Sequence, residues 1–189
     1  MALTAQSYGM IPVSSQSGQP GTRTFAILPA YTTAIYEGSL VIIDGTGGGI
    51  QLGDGTSDAL GVFEGCEYID PTGKPVVSNY WPGTASCTNI KAFVQVDSAT
   101  VYKVGVSANG ANFTQAVVGG SVDIATPTAG SATTGKSTAS VTATPGAAVA
   151  QVRVLGFVDN TPYDATTNPF PELLVQLAQS QLISTPSGV

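Results

Sequence analysis

The sequence predicts a mainly β protein: a compact β-sandwich or barrel-like domain of short antiparallel strands with an extended N-terminal arm. Three observations lead there. With 23 Gly and 12 Pro in 189 residues, and Thr and Ser abundant, local preference favours strands and turns over helices. Short apolar runs recur between Gly-, Pro- and Asp-containing turn signals, the pattern of strands joined by tight connections. Charged residues are only 10% of the chain, well below the roughly 25% usual in soluble domains. Much of the surface must then be neutral, which suits an oligomer or assembly partner.

Residues 1–23 are polar and broken by Pro12, Gly18, Pro20 and Gly21, without sustained periodicity, and read as the arm. The β-rich domain occupies 24–189. Its first strands are expected at Phe25–Leu28, Leu40–Ile43 and Ile50–Leu52, separated by Glu37-Gly38, Asp44-Gly45 and Gly53-Asp54-Gly55. Leu40–Ile43 does not alternate, which implies burial on both faces. Gly61–Gly83 (GVFEGCEYIDPTGKPVVSNYWPG) reads as strand, turn, strand, with Asp70-Pro71-Thr72-Gly73 supplying the turn.

Ile90–Val96 and Thr100–Val106 each alternate and read as a second hairpin about Asp97-Ser98-Ala99. Ser107–Gly110 then turns before Phe113–Val118. Thr114–Gly156 contains no aromatic residue, and its loops near 126–150 are rich in Thr, Gly and Ala. The β-branched residues at Ser121–Ala125 and Ser140–Ala143 favour small-residue strands there over a disordered linker. Glu172–Leu182 carries both helical and alternating spacings, and the surrounding β pattern favours strand.

The ordered wording GCEY-ID-TGKP-SNYWPG within Gly61–Gly83 resembles the head structural proteins of tailed bacteriophages, specifically capsid decoration or cement proteins. Tyr8–Val13, Gly18–Pro20 and Ala34–Gly38 are similar to that group's opening segments, and Thr133–Ser137 and Arg153–Asp159 to its later ones. The resemblance implies a non-enzymatic virion protein, assembled in the host cytoplasm. Such a protein would bind the outer capsid surface and stabilise the shell by bridging subunits of the major capsid protein, as a homotrimer. Residues expected to contact capsid or a neighbouring copy are Tyr8, Met10, Ile11, Pro12 and Val13 of the arm, with Tyr80 and Trp81. Tyr80-Trp81 reads two ways, as an anchor for a partner or sugar and as an aromatic plug closing the hairpin. The alternative function is a tail- or fibre-associated adhesin recognising a host surface through Tyr80, Trp81 and the Thr-rich loops.

Other chemistry finds little footing. Gly130–Ser137 (GSATTGKS) fits the phosphate-binding pattern G-x-x-x-x-G-K-[ST], but a functional loop must follow a buried strand and open a helix. Here poor helix formers and Pro145-Gly146 follow. The chain contains no histidine, so the usual general base and the usual imidazole metal ligand are missing. Glu64, Glu67 and Asp70 are the one conceivable carboxylate cluster, and a solvated rim is the plainer reading. Asp44-Gly45 and Asp54–Asp58 carry turn residues without the spacing of a calcium loop. No catalytic residue, metal or cofactor is therefore expected.

The six cations are scattered in a chain of net charge −6, so no phosphate-tracking patch and no nucleic-acid partner is expected. No apolar run is long enough for a membrane helix and the N-terminus lacks a secretory pattern, so no membrane partner is expected either. Cys66 and Cys87 could bridge, but two buried free thiols better suit a reducing cytoplasm.

Overall fold

The computed structural model describes residues 7–18, 21–53, 58–106, 110–125, 130–141, 151–165, 167–178 and 180–182. The first half holds strands β1 (Ile11–Ser15), β2 (Thr22–Ala26), β3 (Ile35–Tyr36), β4 (Leu40–Ile43), β5 (Ile50–Leu52), β6 (Gly61–Ile69), β7 (Pro75–Ser78), β8 (Tyr80–Trp81), β9 (Thr88–Gln95) and β10 (Thr100–Gly105). Short strands follow: β11 (Ser121–Val122), β12 (Ile124–Ala125), β13 (Gly130–Ser131), β14 (Lys136–Ser137) and β15 (Ser140–Val141). Two longer ones close the fold, β16 (Val152–Phe157) and β17 (Glu172–Leu177).

The two larger sheets run β1-β10-β17-β16-β11 and β2-β9-β6-β4-β5, the second with β7 also paired to β6, and two-stranded sheets pair β12 with β15, β13 with β14 and β3 with β8. The mainly β architecture expected from composition is what the chain adopts, built from antiparallel sheets packed together. Two hydrophobic cores fill it. Tyr102, Val104, Val154, Leu173 and Val175 line the first. Val41, Phe63, Cys66, Trp81 and Val94 belong to the second. Along β4, Leu40 enters the first core and Val41 the second, which is why Leu40–Ile43 shows no polar face.

The turn at Asp70–Gly73 forms as its residues dictate. The Gly73 amide donates to the Asp70 carbonyl, Gly73 takes φ +86°, and the Asp70 carboxylate accepts from the Thr72 and Lys74 amides. These bonds hold the Asp70 carboxyl below its ordinary range, the Lys74 amide contributing most. β6 and β7 then pair from Cys66↔Ser78 to Ile69↔Pro75. β17 resolves the ambiguous C-terminal pattern in favour of alternation, since Leu173, Val175 and Leu177 are buried while Glu172, Leu174 and Gln176 are half-buried.

Two expectations are corrected. β9 and β10 do not pair with each other. β9 lies between β2 and β6 in one sheet, and β10 lies between β1 and β17 in the other. Their alternation is real, but each strand satisfies its ladder with more distant partners, and the Asp97–Ala99 corner carries the chain between sheets. Phe113–Val118 bends through a 3₁₀ turn at Gln115–Val117 that buries Val117. The N-terminal arm, over its described residues, folds back onto its own chain. β1 pairs β10, β2 pairs β9, and Met10 is buried in the first core. Backbone donors and one large side chain found partners within the chain, so no free arm is left over residues 7–18. Of the Thr/Gly/Ala-rich loops near 126–150, residues 130–141 form β13, β14 and β15; 126–129 and 142–150 lie outside the described residues, as do 54–57.

Candidate functional site

Tyr8, Met10, Ile11 and Pro12 lie beside Glu37 and Gly38, at the turn between β3 and β4. Gly9 and Gly38 touch there through their backbones, both at positive φ. A Cβ on Gly38 would stand 3.0 Å from the Met10 amide nitrogen, and one on Gly9 would stand 3.1 Å from the Gly38 Cα. Only glycine permits this approach, and it is closed by a hydrogen bond from the Met10 amide to the Gly38 carbonyl at 2.9 Å. The β13–β14 hairpin packs on the same turn. The Glu37 amide donates to the Gly135 carbonyl, and the Ser137 amide to the Glu37 carbonyl, each at 2.9 Å.

That hairpin contains the GSATTGKS motif, and the described residues that follow it form the strand β15, not a helix. Its turn is fastened by Asn79, whose amide group donates to the Thr134 carbonyl at 2.9 Å and to Glu37 Oε2 at 3.2 Å. Lys136 faces Glu37 at 3.7 Å. The lysine and turn that would cradle a phosphate are thus engaged in holding β3, β8 and the hairpin together.

Tyr80 stacks on Tyr36, with ring centroids 5.5 Å apart and planes 13° from parallel, a contact worth about 1 kcal/mol beyond its buried area. The stack is half-buried. Tyr8 lies under the Lys103 ammonium, 5.1 Å from the ring centroid, and donates its hydroxyl to Glu172, which also pairs with Lys103. Burial first, and the Glu172 carboxylate second, push the Tyr8 phenol up, so it stays a donor.

Two of the seven expected contact residues are not available to a partner. Met10 is 1% exposed and Trp81 is fully buried. The Trp81 indole N–H donates to the Tyr31 carbonyl at 3.2 Å, and the ring meets Tyr68 edge-on at 5.3 Å. Of the two readings of Tyr80-Trp81, the plug holds for Trp81. Ile11 and Tyr8 remain half-buried, Pro12 is exposed and Val13 is 57% exposed on the edge strand β1. Sequence reasoning passed over Tyr36 and Asn79 as contact-forming residues. Their only signal was adjacency to Glu37-Gly38 and Tyr80, which acquires meaning once β3 and β8 pair.

The three carboxylates read as a conceivable acid cluster are dispersed. Glu67 pairs with Lys91 at 2.7 Å, Asp70 caps its own turn, and Glu64 accepts from the Thr22 hydroxyl at 2.9 Å. A β-bulge between Phe63 and Gly65 and a second irregularity before Ile69 break the parity that Glu64 and Asp70 share on paper. Among the described residues no group of three or more Cys, Asp and Glu side chains is arranged to hold a metal ion. Nor is any helix among them long and apolar enough to cross a membrane.

Cys66 and Cys87 are free and buried in the second core. Burial foremost, then proximity to Cys87, pushes the Cys66 thiol up to about 12, and burial likewise raises Cys87. Thiolate is the reactive form. A thiol-specific disulfide reagent at pH 8 is therefore expected to find neither cysteine in the folded protein and both after denaturation; rapid labelling of the folded protein would contradict this burial.

β1 is also latched at its far end. The Asp97 carboxylate accepts from the Ser17 and Ser15 hydroxyls and from the Ala99 amide, which together hold it below the usual carboxylate range. A carboxyl depressed in the folded state stabilises above its unfolded pKa of about 4 and loses that contribution as pH falls through the folded value. The urea midpoint is expected to fall between pH 6 and pH 3, and to fall less in Asp97→Asn; equal losses would remove Asp97 from the latch.

No family model, curated protein or solved structure matches this chain.

Proposed function

We propose that this chain is a non-enzymatic virion protein that binds the outer surface of a tailed-phage capsid as a homotrimer and stabilises the assembled shell by bridging major capsid protein subunits. The observation that carries the reading is the ordered block Gly61–Gly83, with its flanking segments, whose wording resembles capsid decoration proteins. That block builds β6 and β7 of the larger sheet, and β8, which pairs with β3. The low-charge surface supports it, as does the edge strand β1, which offers Pro12 and Val13 to a partner.

The physical logic is linkage. A protein that binds only the assembled lattice adds its binding free energy to the lattice's stability, and a trimer engaging several subunits gains avidity from individually weak contacts. The competing reading, a tail- or fibre-associated adhesin, relies on aromatic recognition and is weakened because Trp81 is buried. Gold-tagged antibody against this protein, applied to intact virions of the encoding virus, separates the two. Label spread over the head, with heads lacking the protein bursting at lower temperature, is the expected result. Label confined to the tail would overturn the capsid reading and favour host recognition.

A further inference from the structure

Where the two sheets meet under the N-terminal strand lies a cavity of about 210 Å³. Phe63, Gln95 and Tyr102, all fully buried, line it, and Pro12, Glu37 and Lys136 connect that lining to the exposed surface. It is smaller than the roughly 300–1,000 Å³ of sites for drug-sized ligands. One side chain or one small molecule is what it can take.

Two polar groups in its wall are unfinished. The Tyr102 hydroxyl is buried without a hydrogen-bond partner in the chain. Thr100, two residues earlier on β10, has no hydrogen to give the Tyr102 oxygen, because its hydroxyl donates to Asp97 at 3.4 Å and accepts from Gln95 Nε2 at 2.9 Å. An unmet buried hydroxyl is costly, which makes the position one where a ligand or water is called for. The second group is Glu64. It is the bulge residue of β6, without a partner in the β6–β9 register, and half-buried. Its one hydrogen bond comes from the neutral Thr22 hydroxyl, and no cation among the described residues lies within ion-pair distance. After burial, the Glu64 charge is the next cause that pushes the Tyr102 phenol up, which places the two groups within electrostatic reach of each other.

The remaining charges do not balance Glu64. Lys136 is committed to Glu37, so the wall carries two carboxylates against one lysine and disfavours an anion. A donor-rich cation would satisfy Glu64 and the Tyr102 oxygen together, while Met10, Val62 and Phe63 offer apolar surface to a stem. From the unpartnered Tyr102 hydroxyl and the unpaired Glu64 carboxylate in one small cavity, we infer that this is a binding site for a primary ammonium group on a short aliphatic stem. A free alkylamine and a lysine side chain presented by another chain share that chemistry. The inference stands apart from the capsid reading.

The test titrates full-length protein with n-butylammonium chloride and follows backbone amide resonances of the cavity wall, against sodium chloride and tetramethylammonium chloride at equal concentration. Saturable shifts with butylammonium alone are expected. Glu64→Gln and Tyr102→Phe, each checked for an unchanged fold by circular dichroism, are each expected to weaken binding roughly tenfold. Nα-acetyl-lysine N-methylamide then distinguishes the sources: saturable binding shows that the cavity admits a lysine carried on a backbone, and binding of butylammonium only restricts it to free amines. The proposal is overturned if butylammonium does no more than the two salts, or if both variants bind it as the wild type does; either result leaves a hydrated cavity.

Discussion

Trp81→Ala is expected to lower the unfolding free energy by about 3–5 kcal/mol, the range for deleting a large aromatic from a core. Against a typical total of roughly 5–15 kcal/mol, that brings the protein close to its folding threshold. The reason lies in where the ring sits. Trp81 is fully buried among Ile35, Phe63, Cys66 and Val94 in the second core, it meets Tyr68 edge-on, and its N–H is satisfied by the Tyr31 carbonyl. Alanine would leave a cavity and orphan the Tyr31 carbonyl. Guanidinium denaturation followed by circular dichroism measures the loss, and thiol labelling adds a second readout, because Cys66 shares the core and its thiol should become reactive. A loss below about 1 kcal/mol would mean that the indole is not the plug of this core.

Gly83→Ala is the second large effect, expected at about 3 kcal/mol or more. Two costs combine. Gly83 has φ +73°, a left-handed backbone that costs an L-residue roughly 1–2 kcal/mol. A Cβ there would also stand 2.2 Å from the Thr32 carbonyl oxygen and 2.7 Å from its carbon. Those are backbone atoms that cannot swing aside, so either the turn after β8 or the Thr32 loop must move, and with it the Ile35↔Trp81 pairing. Gly73→Ala supplies the control. Gly73 has φ +86° with nothing within 4 Å of its Cβ position, so it should bear the backbone cost alone, about 1 kcal/mol. Equal melting temperatures for the two variants would show that the close approach to Thr32 is absent.

The candidate contact surface was only half legible in the sequence. Tyr8, Pro12, Val13 and Tyr80 are at least partly accessible, as expected of contact residues, but Met10 and Trp81 have the same apolar and aromatic character and are buried. Residue type states how strongly a side chain avoids water, not whether the chain's own core or another molecule will cover it. Glu64, Glu67 and Asp70 fail in a related way, since strand parity assumes an unbroken ladder and β6 contains a bulge. The unpartnered Tyr102 hydroxyl had no sequence signal. Tyr102 reads as an ordinary core position of β10, and its deficit exists only because no donor or acceptor from the opposite sheet reaches it.

What the sequence by itself determined is local. Gly and Asp set the tight turns at Asp44, Asp70 and Asp97, and the missing alternation at Leu40–Ile43 announced burial on both faces. These depend on steric limits and hydrogen bonds within a few residues. The tertiary structure decided the rest: that β9 and β10 belong to different sheets, that the N-terminal segment is an edge strand of its own fold, and that Trp81 is core. Strand pairing is a competition among all available edges, and its outcome depends on which apolar faces are buried together across long sequence separations, which no local pattern records.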